Sequence, residues 1–318
     1  MSDAGVPAAG LARIAVLGGD AREVVMAHLL SRDGHDVATY GLGEPACRSL
    51  SAADGLGSAV ALEAASAPEA VVGRSWLLCP NPGLGEDDRV YAPFASASIC
   101  LNEDLLRASD VVTGGIVLGR ASASLMALAS TIGTRVHESK NDEALKVRLA
   151  ASAAEGLLAM LVERTDQVLR DQRVLVLGYG ATGSAIADRL VLLGSQVTVA
   201  ARREESLAHA EEHGARAVPF ENRVAAMAEA TVIVNTVPSV SSMPADVLGG
   251  LDGCLVMDIA SPPGGTDHAA ARAAGLGLLW LRGLVGERAP RTAGELQYRF
   301  VKNVIDSRSR ALAAPPPA

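Results

Sequence analysis

The sequence predicts two α/β domains, each a doubly wound parallel sheet covered by helices, joined by one long helix. Three observations lead there. Short apolar runs alternate with stretches of helical periodicity along the chain. The alternation starts afresh after residue 172, and both series open with a strand that runs into glycine. Between them lies Asn141–Arg170, with no proline and a single glycine. A chain of 318 residues is long for one core and comfortable for two, and its 49% hydrophobic content can fill both interiors.

The first series predicts strands at Arg13–Leu17, Asp36–Tyr40, Ser75–Cys79, Asp110–Thr113 and Thr134–His137, with helices at Ala21–Arg32 and Ser122–Thr131. A Gly/Pro-rich acidic loop, Pro80–Asp88, follows one strand end. In the linking stretch Leu145, Leu149, Ala153, Leu157, Leu161 and Val168 recur at helical spacing, with Asn141 placed to cap its start. Helical rise would give this connector a length of ~45 Å. The second series predicts strands at Arg173–Leu177, Gln196–Ala200, Thr231–Asn235, Cys254–Asp258 and Gly277–Leu281, with helices at Thr182–Leu193 and Asp267–Ala274. Glu295–Ser309 reads as a last helix that could return to the first domain, and Ala313–Ala318 as a frayed, Pro-rich, disordered end. The expected division is an N-terminal substrate domain over 1–140, the connecting helix over 141–171, a nucleotide domain over 172–290 and the C-terminal helix with its tail over 291–318.

Composition narrows the function. Charged residues are 20% and the net charge is −8, which argues against nucleic acid or an anionic membrane as the main partner. No apolar run approaches the ~20 residues of a membrane span, and Met1–Gly10 lacks the basic start and apolar centre of a signal peptide. The four cysteines, Cys47, Cys79, Cys100 and Cys254, form no C-x-x-C pair, and the six histidines are scattered. This reads as a cytoplasmic protein with reduced, mostly buried thiols and no metal.

The strongest motif is Gly178-Tyr179-Gly180-Ala181-Thr182-Gly183, which follows the apolar strand Val174–Leu177. Gly178 permits the sharp turn, Gly180 lets backbone approach a pyrophosphate, and Gly183 lets the next helix pack closely on the sheet. Ala181 and Thr182 open that helix, whose free N–H groups and partial positive charge would face phosphates. An amphipathic helix (Ile186, Leu190, Leu193) and a further strand at the right distance complete the setting of a Rossmann nucleotide site. The alternative is a glycine-rich turn that binds nothing.

The end of the second strand selects between cofactors. NAD sites place an acid there, about 20 residues on, for the ribose 2′-hydroxyl. Here the chain reads Ala200-Ala201-Arg202-Arg203-Glu204-Glu205-Ser206. Two guanidiniums suit a 2′-phosphate, so NADP is expected, with Arg202 the better candidate and NAD left open. A solvated Arg/Glu group at a helix start is the plainer reading.

Ligands in such folds sit beyond the carboxyl ends of the strands. Three later strand ends carry polar or turn-forming clusters: Asn235-Thr236-Val237-Pro238-Ser239, Asp258 through Asp267, and Gly283 through Gly294. Asn235, Thr236 and Asp258 are candidate neighbours of the nicotinamide ring, against a plain turn-forming role. The first domain offers Gly18-Gly19-Asp20-Ala21-Arg22, where the planar fork of Arg22 suits a substrate carboxylate and Asp20 is better placed to cap a helix. No catalytic acid or base is assignable; His268 is the sole histidine near the strand-end motifs and reads as a helix-surface residue.

These motifs, with Glu155-Gly156, Thr165-Asp166, Ala201-Arg202, Asp258-Ile259-Ala260-Ser261, Gly264-Gly265-Thr266-Asp267, Ala289-Pro290 and Thr292-Ala293-Gly294, resemble the family of dipicolinate synthase A subunits over nearly the whole chain. The resemblance implies a flavodoxin-like N-terminal domain and oxidation of a dihydropyridine dicarboxylate to pyridine-2,6-dicarboxylate, with hydride passing to NADP. It also implies a small carboxylate substrate held by Asp20, Arg22, Ser239, Ser261, Thr266 and Asp267, and a partner in the form of a flavoprotein-like B subunit. The chain departs from the family at Ala151-Ser152-Ala153-Ala154, where an Asn and a Pro-Thr are usual. Two further readings stay open. One is another dehydrogenase or imine reductase of a small carboxylated substrate, similar to alanine dehydrogenases around Asp258-Ile259-Ala260 and Gly264-Gly265, although Pro262 stands where those carry a catalytic Asp. The other is a subunit that binds NADP without catalysing a reaction. Symmetry base rates alone lead to the expectation of a homodimer.

Overall fold

A computed structural model describes residues 11–42, 62–251, 253–260, 264–281 and 283–313. Ser261, Cys47 and the tail from 314 lie outside the described residues. The chain divides into two compact units, Met1–Leu145 with Pro290–Ala318, and Lys146–Ala289.

In the first unit the strands are β1 (Arg13–Leu17), β2 (Asp36–Tyr40), β3 (Leu62–Glu63), β4 (Trp76–Leu78), β5 (Gly115–Leu118) and β6 (Val136–Glu138), in the order β3-β2-β1-β4-β5-β6. All neighbours pair in parallel. Without the two-residue edge strand β3 this is the flavodoxin order 2-1-3-4-5, as the resemblance implies; with it the sheet takes the order 3-2-1-4-5-6. Ile14, Ala15, Val16 and Leu17 have no exposed surface, the mark of a central parallel strand covered on both faces.

One expected strand is absent. Residues 110–113 form a turn closed by Thr113 N–H donating to the Asp110 carbonyl (3.0 Å), and the strand begins at Gly115 instead. Two apolar residues, Val111 and Val112, suggest a strand in the sequence. Glycine explains the shift: a Cβ at Gly114 would lie 2.2 Å from the Ser75 carbonyl oxygen, so only glycine brings this segment against β4.

The linking helix also differs from expectation. It spans Glu143–Arg164, ~33 Å by helical rise. Asp142, not Asn141, caps it, through Leu145 N–H to Asp142 Oδ1 (2.8 Å), while Asn141 Nδ2 donates to Glu138 Oε2 (3.1 Å). Beyond the last turn the Thr165 hydroxyl donates to the Leu161 carbonyl, and Val168 is exposed rather than part of the apolar face.

The helix Pro290–Ala313 packs along Ala21–Arg32. Gly294 permits the approach, since a Cβ there would stand 2.6 Å from both the Arg22 carbonyl and Val25 Cβ. Val301 and Ile305 join Val16, Trp76 and Val117 in one buried cluster. At its edge Tyr298 Oη and Lys302 Nζ donate to Asp33 Oδ2 (2.5 and 2.6 Å), and these two bonds, Lys302 first, hold the Asp33 carboxyl below its ordinary pKa. A depressed carboxyl stabilises the fold above its unfolded pKa and loses that contribution as pH falls through the folded value. Protection of the Val301 and Ile305 amides from exchange, relative to their intrinsic rates at the same pH, is therefore expected to fall below the usual carboxylate range, and in Asp33→Asn at neutral pH. Equal protection in variant and parent would refute the clamp.

In the second unit the strands are β7 (Arg173–Leu177), β8 (Gln196–Ala201), β9 (Arg216–Pro219), β10 (Val232–Asn235), β11 (Leu255–Asp258) and β12 (Gly277–Trp280), ordered β12-β11-β10-β7-β8-β9 and parallel throughout. Counted from β7 this is the Rossmann order 3-2-1-4-5-6, with the reversal between β7 and β10. The helix Ala181–Leu192 buries Ile186, Ala187 and Leu190 against the sheet, whereas Leu193 falls at its end and is half exposed. No helix among the described residues is long and apolar enough to cross a membrane.

Candidate cofactor site

The carboxyl end of β7 turns on Gly178, whose φ of +90° is disfavoured for other residues. A Cβ on Gly183 would lie 2.2 Å from the Gly178 carbonyl oxygen, so the helix can meet the strand only through glycine. These two positions are demanded by the protein itself. Gly180 is different. Its backbone is extended (φ −88°, ψ −167°), and a Cβ there would meet nothing within 4 Å. Neither strain nor packing in this chain requires glycine at 180, so the open space above it is where something else can come close.

Gly180 also stands at the N-cap of the twelve-residue helix Ala181–Leu192, and no side chain caps that end. The first N–H groups of a helix have no partner inside it, and the helix dipole puts partial positive charge beside them. The corresponding helix of the first unit shows the opposite arrangement. There Asp20 accepts from backbone N–H groups and the Glu23 carboxylate reaches back to Asp20 N–H (2.8 Å), a complete capping box. Of two helices that follow a glycine turn, only the one in the second unit leaves its first amides without a side-chain cap.

The remaining residues expected of a nucleotide site follow from β8. Ala201 is buried as its last residue, and Ser206 is buried in the first turn of the helix Glu204–Glu212. Between them stand Arg202 and Arg203, exposed, their guanidiniums without a hydrogen-bond or ion-pair partner among the described residues. Tyr179 lies inward, its hydroxyl donating to Asp188 Oδ1 (2.7 Å), and burial with that carboxylate pushes the phenol pKa up.

Asn235 and Asp258 pair in register at the ends of β10 and β11, and both are wholly buried. Asp258 Oδ1 accepts from Asn235 Nδ2 (2.9 Å) and Ala260 N–H (3.0 Å), and Oδ2 accepts from Gly265 N–H (2.8 Å). Asn235 in turn binds its own loop, accepting from Val237 N–H and donating to the Val237 carbonyl. The two side chains thus shape the loops beyond the strands, with no surface of their own to offer a ligand. A Cβ on Gly265 would come within 2.0 Å of Asn235 Nδ2, which explains that glycine. His268 Nε2 lies 3.5 Å from Asp258 Oδ2, and its ring sits edge-on to Trp280 rather than on an open helix surface.

The other sequence candidates separate by exposure. Thr236 Oγ1 donates to the Leu177 carbonyl (2.8 Å) and ties the β10 loop to the glycine turn. Pro238 is exposed, and Val237 and Ser239 are half-buried, the Ser239 hydroxyl 2.7 Å from that of Ser241. Thr266 is buried against Met243, and Asp267 caps the helix His268–Ala273 through Ala270 N–H (2.9 Å). In the first unit Arg22 is 5% exposed, with Nε and Nη2 donating to the two Asp20 oxygens at 2.8 and 2.7 Å. Burial alone would disfavour its charge, but the carboxylates of Glu23 and Asp20 outweigh that. Its fork is already bidentate.

Glu23 is not among the sequence candidates. It is wholly buried, one oxygen lacks a hydrogen-bond partner, and burial raises its carboxyl pKa. The Asp20-x-x-Glu23 spacing of a capping box is the signal in the sequence that marks it.

Comparisons with known proteins agree with this geometry. The family described as the N-terminal domain of the dipicolinate synthase A subunit matches residues 13–139, and one described as "NADP oxidoreductase coenzyme F420-dependent" matches residues 173–262. The dipicolinate synthase A subunit of Bacillus subtilis (strain 168) is 27% identical over 298 residues, covering 92% of this chain and 95% of its own. The crystal structure of the same subunit type from Bacillus subtilis superposes with a TM-score of 0.76 at 25% identity, over 98% of this chain and 100% of that one. The dipicolinate synthase A subunit from Bacillus halodurans shares the fold with a TM-score of 0.81 at 24% identity, over 94% and 99% of the two chains. A transhydrogenase from Sinorhizobium meliloti shares it more loosely (TM-score 0.60, 12% identity, 94% of each chain). With both family matches in order along it and a relative aligned almost end to end, the chain is similar to dipicolinate synthase A subunits over nearly its whole length, carries that subunit's N-terminal domain over residues 13–139, and is an NAD(P)-dependent oxidoreductase.

Proposed function

We propose that this chain oxidises a dihydropyridine dicarboxylate to pyridine-2,6-dicarboxylate, one hydride leaving the ring carbon for NADP and one proton leaving for solvent. The observation that carries the reading is Gly180, a glycine the fold does not need, placed beside an uncapped helix end. That combination fits a diphosphate resting on backbone amides. NADP, when bound, supplies the hydride acceptor.

Each part of the cradle then has a task. Gly178, Gly180, Ala181, Thr182 and Gly183 hold the diphosphate. Arg202 and Arg203, exposed and unpaired, grip the 2′-phosphate, with Ala201 and Ser206 flanking the adenosine. Asn235, Thr236 and Asp258 set the loops so that Val237 and Pro238 back the nicotinamide end. In the second unit Ser239 offers a hydroxyl to the substrate, Ser261 is a further candidate from the sequence, and Thr266 and Asp267 act as positioning residues; in the first unit Asp20 and Arg22 act likewise, because their polar groups are engaged within the protein. Aromatisation drives the reaction, so the chain's main contribution is orientation of the ring against the cofactor. A homodimeric assembly, a cytoplasmic setting and a flavoprotein-like B subunit complete the proposal, with residues up to 140 as the substrate domain and 172–290 as the nucleotide domain.

The test is incubation with the product of dihydrodipicolinate synthase and NADP, following NADPH absorbance together with the pyridine dicarboxylate. Absence of product, even in the presence of a B subunit, would overturn the substrate assignment. For the cofactor, Arg202→Ala is expected to raise KM for NADP about tenfold or more with little change for NAD, as loss of a charge-assisted phosphate contact requires. Equal effects on both would count against a 2′-phosphate site.

A further inference from the structure

Within the first unit a cavity of about 300 Å³ lies between β6 and the helix Pro290–Ala313. Arg135 and His137 reach it from the strand side and Arg308 from the helix, while Phe300 and Val304 supply an apolar wall. Asp142 is the one carboxylate among the lining residues, and its Oδ1 already accepts from Leu145 N–H at 2.8 Å. Neither arginine has an ion-pair partner among the described residues. His137 Nε2 and Arg308 Nε are both closed off from solvent and lack any hydrogen-bond partner there. Buried polar atoms are nearly always satisfied, and here two unsatisfied ones belong to side chains that line one basic cavity.

We propose that this cavity binds a small dianion carrying carboxylate or phosphate groups, at a place separate from the glycine turn, which belongs to the other unit. The charge pattern supports it. The protein as a whole carries −8, yet here two guanidiniums and an imidazole meet with little negative charge to balance them. Burial first, then Arg135 and Arg308, hold the His137 imidazole below its ordinary pKa, so the positive potential is felt at the ring itself. The ring is fixed by its contact with Trp76, 6.0 Å between centroids. Guanidiniums pair bidentately with carboxylate and phosphate, and the apolar wall beside them suits a flat, dianionic ring at the small end of the usual range of ligand sites.

The experiment titrates inorganic phosphate and, separately, pyridine-2,6-dicarboxylate into the full chain while following the His137 C2 proton by NMR, assigned with His137→Gln. A bound dianion offsets the two arginines, so the His137 pKa is expected to rise saturably with ligand. Arg308→Ala and Arg135→Ala should each weaken binding about tenfold or more. Because the Arg308 Nε is buried, its variant could lose the fold; Arg135 is exposed, and Arg135→Ala reads the same contact without that risk. A response to both probes supports recognition by charge, and a response to the dicarboxylate alone supports selection by the Phe300 wall. If neither probe moves the His137 resonance, or both arginine variants respond like the parent, the inference is overturned.

Discussion

Gly180→Val is expected to weaken NADPH binding about a hundredfold or more, the scale of loss for a ligand displaced by an ångström or so from its fixed groups. Its melting temperature should stay within the small range typical of surface substitutions. The reasoning rests on a difference between two glycines in one turn. At Gly180 an added Cβ meets nothing within 4 Å and the backbone is in an ordinary extended conformation, so the fold loses no more than a less favourable N-cap residue costs. At Gly183 an added methyl meets the Gly178 carbonyl at 2.2 Å, so Gly183→Ala is expected to lower stability by roughly 1–3 kcal/mol, as overpacking does. Calorimetric titration with NADPH beside thermal melts of both variants separates the two effects. Unimpaired NADPH binding by Gly180→Val would remove the diphosphate from this turn.

Asp258→Ala is expected to destabilise the protein by roughly 3–5 kcal/mol, because one truncation strips acceptors from Asn235 Nδ2, Ala260 N–H and Gly265 N–H at once. All of this happens at a side chain with no exposed surface, where water cannot substitute. Urea unfolding of the variant gives the number directly. Turnover should fall only in proportion to the folded population. A variant that kept the parent's stability yet lost turnover would show that Asp258 meets the reacting groups, and the bracing role assigned to it would be wrong.

The alternation of strands and helices is legible because central parallel strands such as Arg13–Leu17 and Arg173–Leu177 are continuous apolar runs. Two of the four edge strands are not. Leu62–Glu63 and Arg216–Pro219 are short and carry no such run of their own. The misplacement of β5 has a related cause: Val111 and Val112 look like a strand, but only the approach of Gly114 to a neighbouring backbone fixes where pairing begins. At the site, the glycine turn is readable because each of its glycines has a local task. The state of Arg22 is not readable. Whether a guanidinium is free for a carboxylate depends on a neighbour two residues away turning toward it, as Asp20 does here, and sequence spacing does not report that rotamer. Asn235 and Asp258 stand out in the sequence as a pair of strand ends, but burial decides that they address one another.

The chain leaves its first unit at Leu145 and comes back to it at Pro290. Residues Lys146–Ala289 are therefore an uninterrupted stretch, free to fold as soon as it has been synthesised, whereas the unit that begins earliest is finished latest. Until the helix that carries Val301 and Ile305 arrives, the cluster around Val16, Trp76 and Val117 lacks one wall. During biosynthesis the incomplete amino-terminal half is the part that exposes apolar surface and would attract chaperones or proteases, and a premature stop before Pro290 would leave it in that condition permanently.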